Sequence, residues 1–464
     1  MPDRPDFRIC VVLVLACALA LPVALPAADG DLDPTFWGDG KMNLSSAYDG
    51  NFRVGAVLAA PDGWNVVVAT RKNRTSAPDA LFWQRIGSST LSTQCNFEPP
   101  GGATGVYEVF GTAAIFDLTG KLVVAFTVEY GAGNHVAAVA RFLYPACTLD
   151  SNFDGDGYAV FDLTPDGEYP TAIDFDTIGR YYVAGAKGLS DADQDTLLMR
   201  LLPGGGLDSG FSGNGWLAFD ALGLARQDLA RGLAVQPDGK PVVAGYAEVE
   251  PANVDFFAAR FALAGALDST FSGDGVAPVA FDLGGWADFA AGLAYDVGSG
   301  RLAIVGSADA PGERRAAVAV LTPSGGLDPT FSADGRTTFL YEGVDHSAIA
   351  AASWDGLGRL VATGYAYDGN GGPSDFGIAR LLPGGSLDGD FSLGGSLVVP
   401  FDIPGSTGND NPAAVALPAG RPVVAGWIRH PDNYFRPALV RVRTALIFAN
   451  GFETGGLLAW RDWY

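Results

Sequence analysis

The sequence predicts an all-β fold: a seven-bladed β-propeller with about four antiparallel strands per blade, its ring closed by the N- and C-terminal segments. Three observations predict it. One loop phrase recurs seven times at a period near 60 residues, four strand-like stretches fill each period, and each end of the repeat array lacks the half that the other end supplies.

The phrase is clearest at Leu267-Asp268-Ser269-Thr270-Phe271-Ser272-Gly273-Asp274-Gly275. Its phenylalanine recurs at Phe36, Phe97, Phe153, Phe211, Phe271, Phe331 and Phe391, at intervals of 61, 56, 58, 60, 60 and 60 residues. Within the fourth repeat the strand-like stretches are 216–220, 230–235, 241–245 and 256–261. Gln236-Pro237-Asp238-Gly239 separates the second from the third; proline presets the first turn angle and glycine accepts a positive φ, so a tight hairpin is expected. The third stretch also recurs seven times, at 64–70, 121–126, 180–185, 240–245, 301–306, 359–364 and 421–426. No sustained apolar period of 3.6 residues appears, so helices are not expected. Which of the four strands is innermost stays open.

A small four-stranded sheet covers both of its faces only in a ring or a stack. The phase of the repeats selects the ring. The chain begins with a Leu32-to-Phe36 loop that has no fourth strand before it, and its last repeat ends on a fourth strand, 438–442, with no loop after it. Each fourth strand carries an arginine and the following loop an aspartate eight or nine residues on, which predicts the pairs Arg141–Asp150, Arg200–Asp208, Arg260–Asp268 and Arg380–Asp388. Arg441 would be answered by Asp33 across the closure. Val320 and Gln94 break the pattern, the latter leaving Arg85 without its aspartate.

Residues Ile9 to Leu25 form an apolar run behind Arg4 and Arg8, ending in Pro26-Ala27-Ala28, the layout of a cleavable signal peptide spanning residues 1–28. A membrane anchor and a lipid-modified Cys17 are the alternatives; Pro22 and Pro26 interrupt the run, and Leu15 suits a lipidation site poorly. No later segment is long and apolar enough for a membrane span. The expected location is therefore secreted or envelope-associated: extracellular, periplasmic or on the outer surface. The propeller would occupy 29–443 and a short aromatic tail 444–464. A formal net charge of -23 argues against nucleic acid as a partner. Once Cys10 and Cys17 leave with the leader, Cys95 and Cys147 remain, and a disulfide between them is expected.

The phrases at 267–275 and Val235-Gln-Pro-Asp-Gly-Lys-Pro-Val-Val-Ala-Gly245 resemble the delta-60 repeat, a bacterial β-propeller repeat of largely uncharacterised function. The resemblance covers about residues 30–443 and is weak in the second repeat, where Cys95-Asn96-Phe97-Glu98 replaces the phrase. It implies an exported or envelope-associated propeller and brings no catalytic residues to carry over. The tail, from Ile447 to Trp460, is similar to a C-terminal phrase found on unrelated exported proteins of gammaproteobacteria; it is read either as an address or as aromatics packing on the rim.

Asp150, Asp154 and Asp156 are weak candidates for calcium ligands. The middle residue of the Gly-Asp-Gly turn is Asp39, Asp156, Asp274 or Asp334, but also Asn214, Gly101 and Gly394. That spread favours turn formation through tolerance of left-handed angles. No other cofactor is expected. His135, His346 and His430 fall at different phases of the repeat, so they do not suggest one catalytic centre. No nucleophile elbow, phosphate-binding loop or zinc-protease helix is present. Trp216, Trp286, Trp354 and Trp427 lie off the repeat; they either line a ring face and stack on a carbohydrate or fill space between blades. The functional expectation is a monomeric, non-catalytic binding or scaffold module for a protein or glycan partner. The alternative is a propeller hydrolase or lactonase with a metal-supported acidic central site.

Overall fold

A computed structural model describes residues 29–44, 50–72, 79–100, 108–131, 133–188, 194–284, 287–369, 372–392, 394–406 and 408–444. The expected leader with Cys17, Trp286, and the tail beyond Thr444 lie outside these residues.

Seven four-stranded antiparallel sheets form the blades of a propeller. The innermost strands, in chain order, are Asn51–Ala59, Val109–Phe116, Glu168–Phe175, Asp228–Val235, Asp288–Tyr295, His346–Trp354 and Asp410–Ala416. Each packs on the next, and the last packs on the first, so the ring is closed. Blade four runs outward from Asp228–Val235 through Pro241–Glu250 and Asn253–Arg260 to Val276–Val279. The second stretch of each sequence repeat is therefore the innermost strand, and the first stretch completes the blade before it.

The two middle strands of each blade read as near-continuous apolar runs because both of their faces are covered. The core lies between blades: Ala244, Phe256 and Ala258 of blade four pack with Leu302, Ile304 and Ala317 of blade five. Every innermost strand also carries a β-bulge, at Gly55, Gly111, Thr171, Arg231, Ala291, Ala350 and Ala413. The bulge explains the glycine that ends the third sequence stretch in five blades. A Cβ on Gly185, Gly245, Gly306, Gly364 or Gly426 would sit 1.8–2.0 Å from a carbonyl oxygen of the bulged strand. No side chain fits there.

The recurrent loop phrase is an inter-blade latch. Arg260 Nε donates to Asp268 Oδ2 at 2.9 Å while its guanidinium lies 4.9 Å from the centre of the Phe271 ring. Ser272, at φ 53°, then donates its amide to Ser324 O of the next blade at 2.7 Å. The same arrangement recurs with Arg141–Asp150 at 2.8 Å, Arg200–Asp208 at 2.8 Å and Arg380–Asp388 at 2.7 Å. Each aspartate also caps the amide two residues on, as Asp268 does for Thr270.

At the closure Lys41–Asn43 is the outermost strand of blade seven, antiparallel to Phe435–Arg441, and Arg441 Nε donates to Asp33 Oδ2 at 2.8 Å. Asp29 O accepts from Ser392 N at 2.7 Å, and the Asp29 carboxylate pairs with Arg380 at 2.6 Å. The first described residues thus serve as the latch that other blades take from a loop of the chain. Between blades one and two the latch is different. Cys95, on the outermost strand of blade one, is disulfide-bonded to Cys147 in the blade-two loop. Arg85, lacking its aspartate, pairs instead with Asp62 at 2.6 Å and donates to the Tyr144 hydroxyl at 2.9 Å.

The Gly-Asp-Gly turns correct one expectation. Among the described residues their middle positions are not left-handed, except for Gly394; the flanking glycines and the residue after the phenylalanine are. The aspartate instead accepts from the amide two residues on, as in Asp274 with Val276 and Asn214 with Trp216. Its oxygen, more than its backbone tolerance, selects Asp or Asn there.

Candidate ligand site at the channel mouth

The bulge turns one residue of each innermost strand toward the axis, and these residues set the character of the central channel. Six of the seven are Gly, Ala or Thr; the seventh is Arg231. The cavity that six of them, all but Gly111, line measures about 280 Å³ and is walled otherwise by small and apolar residues such as Ala56, Ala114, Ile173, Leu233 and Leu293. A guanidinium in such a ring has few local partners. Its Nη2 donates to the Tyr246 hydroxyl at 3.3 Å, and the Tyr246 ring centre lies 5.5 Å from it.

Toward the end where the innermost strands begin, hereafter the upper mouth, the channel opens into a second cavity of about 280 Å³. Arg53, Arg231 and Trp427 line it together with Thr70 and Thr112. Gly55 must be glycine here, since a Cβ would lie 1.8 Å from Thr112 Oγ1. Arg53 is exposed, and among the described residues neither arginine has a carboxylate partner. In a chain of net charge -23 most cations are answered by acids, so two unanswered arginines in one concavity are a local reversal of sign.

At the opposite, lower mouth a cavity of about 420 Å³ is lined by Asp174, Asp176, Leu233, Pro237, Leu293, Tyr295 and Val297. Burial pushes the Asp174 carboxyl up to about 6 against the hydrogen bonds it accepts from Val235 N and Phe175 N. No cation pairs with it among the described residues.

The residues singled out in the sequence fall elsewhere. The Arg–Asp pairs tie a strand to the following loop of the same blade, on its outer part, and so hold that loop against the next blade. Burial alone would raise the Asp150 carboxyl, but Lys121, Asn152 and Arg141 outweigh it and hold it at about 2. With Asp150 Oδ2 on Arg141 and Lys121, and Asp156 capping Tyr158 N, the Asp150, Asp154 and Asp156 carboxylates do not converge. Among the described residues no group of three His, Cys, Asp or Glu side chains could hold a metal ion. His135 packs against Phe110 and Tyr169 in the second interface; His346 accepts from Arg314 N at 3.0 Å and stacks on Tyr367; His430 lies 3.2 Å from Asp432. Trp216 packs between blades, and Trp354 lies under Arg301 with its indole N–H on Ala294 O. Of the three tryptophans among the described residues, Trp427 is the one that reaches the channel mouth. Arg53 and Arg231 were not singled out by the sequence; the available signal was, for Arg231, an arginine where other repeats place Gly, Ala or Thr, and for Arg53 an arginine two residues before the bulge, where the other repeats carry no charge.

No curated protein matches the chain. Among solved structures it is similar to a Dyadobacter fermentans protein of unknown function, at 14% identity and TM-score 0.45, covering 87% of this chain and 99% of that one. It is also similar to the polysaccharide lyase Uly1, at 12% identity and TM-score 0.46, covering 86% and 90%. For the Trypanosoma rangeli sialidase the values are 12% and 0.39, covering 89% of this chain and 60% of that one. At these identities and scores the likeness assigns no activity. Residues 236–271 and 358–391 match the family described as a domain of unknown function (DUF5122) beta-propeller, and the chain is a seven-bladed propeller distantly related to it.

Proposed function

We propose that this chain is an exported binding propeller of the delta-60 kind that holds its ligand at the upper mouth of the channel. The observation that carries the reading is the convergence of Arg53, Arg231 and Trp427, none required by the repeat, on one cavity of an otherwise small-residue channel. Positions demanded by the fold are filled by the repeat; residues that depart from it and meet in a concavity are the expected mark of a site grafted onto a scaffold. The test is a glycan and peptide array probed with the mature chain and with Arg231→Ala. Alanine is the residue that three other blades carry at this bulge, so the variant should fold. Ligands retained by the parent should be lost by the variant at unchanged Tm; identical binding profiles would remove the upper mouth from consideration.

A second reading, a propeller hydrolase, draws on the lower mouth. A half-buried carboxyl held near 6 beside Tyr295 in a cavity has the poise of a general acid. It is a reading without metal, because the described residues offer no metal-binding group. Hydrolysis of glycoside or lactone substrates that disappears in Asp174→Asn, at unchanged Tm, would establish it; equal rates in both chains would reject it.

A further inference from the structure

We infer that the ligand of the upper mouth is a carboxylated sugar, of the size of a single hexuronate or the acidic end of a glycan. The inference rests on the reading of that mouth as the ligand site and adds the chemistry that the walls select. A guanidinium presents a planar fork of N–H donors that matches a carboxylate, and an unpaired one gains most from such a partner. Two line this cavity, Arg53 and Arg231, and the second is steadied by Tyr246 through a 3.3 Å hydrogen bond. Trp427 supplies a broad apolar wall on which the C–H face of a sugar ring can lie. Thr70 and Thr112 add hydroxyls able to donate and accept, the complement of a polyhydroxylated ring.

Size and field narrow the class further. About 280 Å³ lies just below the ~300–1,000 Å³ typical of small-molecule sites, which suits one ring. The remaining surface of a chain with net charge -23 repels an extended polyanion, so one acidic residue at a chain end is favoured over a long run of them. Below the mouth the ring of Gly, Ala and Thr bulges offers little polar recognition, and the ligand stops at Arg231.

The experiment is calorimetric titration of the mature chain, at fixed ionic strength, with glucuronate, glucose, acetate and sulfate, repeated on Arg231→Ala and Arg53→Ala. Glucuronate should bind at least tenfold more tightly than the other three and lose at least tenfold in either variant, with Tm unchanged. Glucose binding as well as glucuronate would overturn the role given to the arginines. Equal binding of acetate or sulfate would overturn the sugar and leave the mouth as a simple anion site. No binding by any of the four would overturn this inference, while the array comparison with Arg231→Ala decides separately whether the mouth binds anything. Selective capture of peptides with a free C-terminal carboxylate in that array, with no uronate binding, would also overturn it.

Discussion

Asp228, Asp288 and Asp410 occupy the same place in three blades: the first residue of the innermost strand, buried, with one oxygen accepting an amide of the loop before it. Burial, and after it the neighbouring acids, push each carboxyl up to about 7. Because the folded values lie above the ordinary 3.8, the native state holds more protons than the unfolded chain between those limits. The stability from these groups is complete below about pH 4 and is lost as pH rises through 7. Asp33, Asp150 and Asp268 work in the opposite sense, since hydrogen bonds from Thr35, Lys121 and Thr270, then backbone amides and the paired arginines, lower them despite burial; their contribution is lost as pH falls below the ordinary carboxylate range. Stability should therefore peak near pH 5. A Tm several degrees higher at pH 5 than at pH 8 is expected, and Asp288→Asn should flatten the difference. A Tm that rises toward pH 8 would mean these carboxylates are ionised in the folded protein. At this scale the sequence was legible where the repeat spoke: an arginine eight residues before an aspartate states its own pairing. It was silent at Arg231, whose role depends on which strand faces the axis.

Among elements, two latches depart from the pattern: blade five has Val320 in place of the arginine, and the interface between blades one and two is joined by different material. The regular latch needs an arginine, an aspartate and a buried phenylalanine; here Gln94 stands where the aspartate should be, and Phe97 lies within a strand instead of a loop. The Cys95–Cys147 bond joins the two blades in its place. A native disulfide typically contributes about 2–4 kcal/mol, and its loss should be felt locally. Under reduction, or in Cys95→Ser with Cys147→Ser, hydrogen exchange should accelerate at this interface before any other. Uniform acceleration around the ring would show that the seven interfaces open together. The number of strands and their turns could be read from the sequence because each repeat confirms its neighbours. Strand order from the axis could not, since the two middle strands and the innermost strand are all apolar, and only the bulge, a tertiary feature, tells them apart.

Over the whole molecule, closure joins residues some 400 positions apart by three kinds of contact: the strand pairing of Lys41–Asn43 with Phe435–Arg441, the Arg441–Asp33 pair, and the Asp29–Arg380 pair. Deleting residues 29–44 removes all three and exposes the edge of blade seven, which an unpaired strand edge makes prone to association. The shortened chain should elute as multimers or aggregate on size exclusion, where the full ring elutes as a single compact species; a stable monomer of unchanged Tm would show that the latch is dispensable. The repeat phase had already placed the two ends together, because a missing half at each end has one remedy in a ring.

That seam also orders events in time. The segment from Asp29 to Asn43 is made before every blade, yet its partners across the seam, Arg380, Ser392 and Phe435–Arg441, are made last. During synthesis the opening stretch can dock on blade one through Trp37, which donates to Ser88 O and Gly87 O, and six blades can assemble while the seventh waits for both ends. A chain that cannot complete its circle until its final strand emerges keeps its closing blade unfinished, with an unpaired strand edge, for most of its manufacture.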